Sequence, residues 1–191
     1  MSVGSLLSGN NIGIMRGERV LFRDVSVSLY PGEAIVLRGA NGAGKTTLLR
    51  ILAGLTQAET GEVSKQGAHH WIAHREGLKP HETPADHLRL WARAWGQTVE
   101  VRQLLADMGL SKPADVPAKY LSAGQRRRTA LARLRLENRP IWLLDEPFTA
   151  LDADGKSLLQ AMISNHRTQG GGVIAAIHGE AGFEFDTQVE I

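Results

Sequence analysis

Gly39-Ala40-Asn41-Gly42-Ala43-Gly44-Lys45-Thr46 is the stretch that decides the fold of this chain. Its spacing, Gly-x4-Gly-Lys-Thr, is that of a phosphate-binding loop. It lies between the apolar run Ala34-Ile35-Val36-Leu37 and a stretch with helical spacing from Thr46 to Leu55. Strand, loop and helix in that order give the motif its physical meaning. Glycines let backbone N–H groups converge on phosphate oxygens, and the helix N-terminus adds positive potential. Lys45 can reach the β and γ phosphates, and the Thr46 hydroxyl can ligate Mg²⁺. Thr47 opens the same helix beside them, and Gly54 stands where a C-cap belongs.

Upstream of the loop, Val25-Ser26-Val27-Ser28-Leu29 alternates apolar with polar, as a half-buried strand does, and Pro31-Gly32 turns the chain into the buried run. Downstream, the pattern becomes helical from about Lys79 to Leu136. Thr83 is an N-cap with Pro84 at the first helical position, and Leu88, Trp91, Ala92 and Trp95 share one face. Val101, Leu104, Leu105 and Met108 repeat that spacing before Gly109. A subdomain of at least three helices over 79–136 is expected, inserted between 1–78 and 137–191 of a single catalytic domain. The chain then returns to apolar runs, Ile141-Trp142-Leu143-Leu144 and Val173-Ile174-Ala175-Ala176-Ile177, separated by a helical stretch near Lys156 to Arg167. Buried runs alternating with helices predict an α/β core with parallel pairing.

The run at 141–144 ends in Asp145-Glu146, which places two carboxylates at the C-terminal end of a buried strand, where ligands bind in open α/β sheets. Asp145 is placed to hold Mg²⁺, and Glu146 to accept a proton from an attacking water or orient it. Leu121-Ser122-Ala123-Gly124-Gln125 begins a helix with small residues and free N–H groups, a seat for an anion. Alone, that pentapeptide is a weak signal.

Together, the loop, the carboxylate pair and the pentapeptide resemble the ABC ATPases, whose signature is usually written LSGGQ. The resemblance implies a P-loop NTPase fold: a RecA-like core with a parallel sheet, N-terminal antiparallel β strands and an inserted helical subdomain. It implies ATP and Mg²⁺ as cofactors, with Gly39 to Thr47 on the nucleotide. It also implies a head-to-tail dimer, in which Ser122, Ala123, Gly124, Gln125 and Asp152 of a second copy complete each ATP site. Ala150-Leu151-Asp152 resembles the family's D-loop and His178 its switch histidine, so Glu146, His178 and Lys45 form the implied catalytic set.

Two positions depart from the family pattern. Where a glutamine is usual after the strand Trp71-Ile72-Ala73, this chain has His74, a further candidate for the Mg²⁺ shell beside Thr46 and Asp145. An imidazole cannot present an amide's donor and acceptor from one end. Where an aromatic usually stacks on adenine, Arg16-Gly17 stands, and a guanidinium can stack there with weaker selection for ATP over GTP.

The remaining features exclude more than they assign. A formal charge of +2 with both signs interspersed names no nucleic-acid partner. No apolar stretch approaches the roughly 20 residues needed to span a bilayer, and Met1 to Leu7 shows no basic n-region, so a place in the cytosol is expected. With no cysteine, disulfides and thiolate metal sites are excluded. His69-His70 reads as a solvated pair facing opposite sides of a strand, Arg126-Arg127-Arg128 as a structural or interface face, and Trp91 with Trp95 as subdomain core.

Within the ABC proteins, Ala73 to Lys79 with Thr83, Leu121 to Arg128, and Leu144 to Asp152 look like the ATPase of the bacterial cytochrome c maturation system. That resemblance implies integral membrane subunits as partners, a periplasmic haem chaperone reached through them, and a peripheral place on the cytoplasmic face of the inner membrane. An ABC transporter with another cargo, or a non-transport ABC ATPase, is the alternative. The latter usually carries two ATPase modules or a long coiled-coil insertion, and neither is present here.

Overall fold

The structure is a computed structural model that describes residues 4–191; of the stretch read for a leader, residues 1–3 lie outside the described residues. The described residues divide into two compact units, one of 4–71, 139–146 and 163–191, the other of 72–138 and 147–162. The segment 147–162 thus groups with the helical residues, and the helical unit begins at Ile72.

The first unit holds two sheets. Strands β1 (Leu7–Arg16), β2 (Arg19–Leu29) and β4 (Thr60–Lys65) form an antiparallel sheet in the order β2-β1-β4. The second sheet has the order β5-β6-β7-β3-β8, from β3 (Ala34–Arg38), β5 (His69–Ile72), β6 (Ile141–Asp145), β7 (Gly172–Ala176) and β8 (Thr187–Glu190). β3 runs parallel to β7 and β8, and β6 parallel to β7, as the buried runs predicted. Helix α1 (Lys45–Ala53) follows the loop and stops at Gly54, which is left-handed at φ 79°. Leu48, Leu49 and Leu52 of α1 share one core with Leu7, Ile12, Leu29, Ile35, Leu37, Leu143 and Ile174. That core fixes the loop between β3 and α1 relative to the ends of β6 and β7.

The alternating stretch at 25–29 is the end of an eleven-residue strand. Its partner β1 escaped the sequence reading because the register shifts between Gly9 and Ile12, with Asn11 at φ 51°. A bulge puts neighbouring residues on one face and erases the period-two signal. β4 and β8 are mostly exposed and polar, so no apolar pattern marks them.

His69 and His70 do face opposite sides, yet they are not a solvated pair: His69 is half-buried and His70 only 2 % exposed. Pairing of β5 with β6 turns one face of this short strand into the core. Burial, with Lys65 and Arg139 adding like charge, pushes His69 down to about 4 from an ordinary 6.5. A second buried imidazole, His166, stacks on Trp142 with ring centroids 3.9 Å apart, and burial takes it down to about 4 as well. Both rings are neutral in the folded chain, whereas the unfolded chain protonates them near 6.5. Their contribution to stability is therefore whole above pH 6.5 and is lost as pH falls from 6.5 toward 4. Thermal melts across that range should show a falling midpoint. His166→Phe, which keeps the stack, should flatten part of the slope; an unchanged slope would contradict the assignment.

The second unit holds helices α2 (Pro84–Ala94), α3 (Val101–Asp107) and α4 (Ala123–Ala132). Thr83 caps α2, its hydroxyl accepting from the Asp86 N–H, with Pro84 at the first position. Leu88, Leu104, Leu105, Met108, Ala130, Leu131 and Leu134 are buried. Trp91 and Trp95 touch, with centroids 5.1 Å apart, and the Arg133 guanidinium lies over Trp91, but both indoles are half-buried instead of core. Helix α5 (Ala153–Thr168) leads back toward β7. Among the described residues, no helix is long and apolar enough to cross a membrane.

Candidate nucleotide site

The phosphate loop closes around its own lysine. Lys45, only 8 % exposed, donates from Nζ to the carbonyls of Gly39 (2.7 Å) and Ala40 (3.2 Å). An ammonium has three donors, so one remains for a phosphate oxygen. Gly39, Gly42 and Gly44 all have positive φ, and at Gly44 a Cβ would lie 2.7 Å from the Phe22 ring. No side chain fits there, which keeps the backbone N–H groups at the start of α1 open.

The Thr46 hydroxyl lies 2.9 and 3.1 Å from the two carboxylate oxygens of Asp145, which is 2 % exposed. Strand β6 therefore delivers its carboxylate to the first turn of α1, as the sequence placed it. This pair is a hard-oxygen donor set. It suits Mg²⁺, which is commonly bound by one or two protein oxygens plus substrate phosphates rather than by an all-protein cage.

Glu146 follows at φ 48°, its N–H bonded to the Ala176 carbonyl (3.0 Å) and its carboxylate accepting from the His178 N–H (3.3 Å). The end of β6 and the residues just past β7 thus meet at one carboxylate, and His178 itself is exposed. Around these groups opens a cavity of about 530 Å³, lined by Asn41, Gly42, Gly44, Lys45, Thr46, Thr47, Asp145 and Glu146 at one side and by Ile14, Met15, Arg16 and Leu21 of the β1–β2 hairpin at the other. Its size suits a nucleotide. Of the hairpin wall, Arg16 was expected from sequence, whereas Ile14, Met15 and Leu21, and Arg50 with Thr56 beside them, were missed. Arg50 was findable, since it sits one helical turn after Thr46.

In the second unit, Ser122 caps α4. Its hydroxyl accepts from the Gln125 N–H (3.1 Å), and the Gln125 side chain accepts from the Ser122 N–H (2.9 Å), a reciprocal capping box. The pentapeptide is thereby a rigid helix start whose Ser122 and Ala123 are exposed. Gly124 has a specific reason to be glycine, because a Cβ there would lie 2.9 Å from the Ala150 carbonyl. Asp152 accepts from the Gly155 N–H (2.9 Å) and pairs with Arg128 (3.5 Å). His74 is exposed at a bend after β5.

A family model described as ABC transporter matches residues 22–149, a span that includes the loop, the pentapeptide and the carboxylate pair. The chain belongs to the ABC transporter family. It is an ABC-type ATPase that binds ATP. Among curated relatives, this ABC ATPase is 59 % identical over 191 residues to the cytochrome c biogenesis ATP-binding export protein CcmA of Hyphomonas neptunium, covering 100 % of this chain and 99 % of that one. It is 42 % identical over 188 residues to the protein of the same name from Vibrio cholerae, covering 91 % of each. Among solved structures, it superposes with TM-score 0.81 on an ABC transporter ATP-binding protein from Pyrococcus furiosus, at 22 % identity and 96 % coverage of each chain, a likeness that speaks for the fold alone.

Proposed function

We propose that this ABC ATPase is the ATP-hydrolysing subunit of a cytochrome c biogenesis complex, in which hydrolysis drives haem export or the release of a haem-loaded periplasmic chaperone. The observation that carries the proposal is the full-length identity of 59 % to a relative bearing that name.

Each residue of the site has a role. The loop from Gly39 to Thr47 offers N–H groups to the phosphates, and Lys45 places its remaining donor against the β and γ oxygens. Thr46 and Asp145 would hold Mg²⁺, which when bound neutralises charge developing on the phosphates. Glu146, steadied by the His178 N–H, orients the attacking water and takes its proton. The His178 ring faces the γ-phosphate, and Arg16 covers the base. A second copy supplies Ser122, Ala123, Gly124, Gln125 and Asp152, so that ATP binds the closed dimer better than the open one and its hydrolysis releases the pair. Integral membrane subunits convert that closure into work, with this chain held peripherally on the cytoplasmic face of the inner membrane.

Deletion of the gene tests the cargo. The strain should lose holo-cytochromes c, seen as loss of covalently bound haem on denaturing gels, while b-type haem proteins persist. Normal c-type cytochromes in the deletion strain would overturn the cargo assignment and leave the ATPase reading standing.

A further inference from the structure

The segment leaving Glu146 is held in an unfavourable shape by something other than its own preferences. Glu146 has φ 48°, a region costly for any residue with a Cβ, and it precedes Pro147, whose ring disfavours helical backbone before it. Ala150, four residues on, has φ 65°. Such geometry persists only where the surroundings over-determine it. On one side the anchor is the Glu146 N–H to the Ala176 carbonyl. On the other side it is Arg127.

Arg127, read from sequence as part of a structural or interface face, is 1 % exposed. Its Nε donates to the Pro147 carbonyl (3.2 Å), and its Nη1 to the carbonyls of Ala73 (2.8 Å) and His74 (3.4 Å). One planar guanidinium therefore ties three pieces of backbone together within the second unit: helix α4, the His74 bend, and the residue bonded to Glu146. α4 touches the same 147–152 segment twice more, through Gly124 against the Ala150 carbonyl and Arg128 against Asp152.

We infer that Arg127 is a positioning residue for hydrolysis: its guanidinium fixes the backbone after Glu146, and so the aim of the carboxylate, while linking it to the signature helix and to the bend at His74. The inference rests on the hydrolysis reading of the site. The bonds from the Nε and Nη1 of Arg127 go to carbonyls of its own unit, at Pro147, Ala73 and His74. A fixed fork serves diverging carbonyls better than an ammonium, which acts as a point donor.

The test compares the parent, Arg127→Met and Arg127→Lys, each in the complex from which the full chain is isolated, with Glu146→Gln as the blank. ATP affinity, kcat, KM and melting temperature are read together. Arg127→Met should keep its ATP affinity within about twofold while kcat falls roughly 10- to 100-fold, the scale of a small misplacement of a reacting group. Arg127→Lys should restore part of kcat at unchanged KM. A folded Arg127→Met with parent kcat overturns the inference, as does a loss in which affinity and kcat fall together. If Arg127→Met does not fold, Arg127→Lys decides by the same split, and failure of both variants to fold makes Arg127 purely structural and overturns positioning. A parent with no turnover above the blank counts against the hydrolysis reading instead.

Discussion

Glu146→Gln is expected to bind ATP normally, accumulate as a nucleotide-bound dimer and lose turnover by roughly 10²-fold or more, the usual contribution of a positioned general base. The substitution is clean here. The amide oxygen can still accept the His178 N–H that Glu146 accepts now, and the backbone bond from residue 146 to Ala176 is untouched. What disappears is the capacity to take a proton. The closed state then persists because the ligand that favours it is not consumed. Size-exclusion chromatography with ATP and Mg²⁺, beside a phosphate-release assay, reads both effects; hydrolysis at the parent rate would mean that another group is the base.

The second large effect belongs to Lys45→Ala. The ammonium is nearly buried and already spends two donors on the Gly39 and Ala40 carbonyls, so the change removes both a phosphate contact and the loop's internal brace. Charged hydrogen bonds contribute about 1.5–3 kcal/mol, so ATP should bind about 10- to 100-fold more weakly. Fluorescence titration with a nucleotide analogue measures this. On the proposed role of Lys45 at the β and γ phosphates, AMP should lose much less than ATP. Equal losses for the two nucleotides would place the lysine's role in folding the loop rather than in holding phosphate.

Much of this site could be read from sequence because it is local: the loop's glycines, the lysine and the hydroxyl lie within eight residues, and the carboxylates end an unbroken apolar run. What escaped depends on longer-range geometry. The bulge in β1 hid the hairpin that walls the cavity. Two adjacent histidines looked solvated because polarity alone cannot tell that a four-residue strand is covered on one face. Three consecutive arginines read together as a structural or interface face, without separating Arg127, which stands three, four and seven positions before Ala130, Leu131 and Leu134, all buried. That spacing is the mark of one helix face, and it outweighs residue type. The two half-buried indoles are the converse case: apolar in kind, they sit where Arg133 and solvent share them.

The left-handed backbone at Glu146 has a consequence for anyone trying to harden this protein. A residue without a side chain would relax that position, since glycine adopts positive φ at little cost, and strain of this sort amounts to about 1–3 kcal/mol. On the proposed role of Glu146, stability and turnover therefore oppose each other at this position. A melting-temperature screen without an activity filter would drift toward replacing residue 146 and would select a well-behaved protein that grips ATP and does nothing with it.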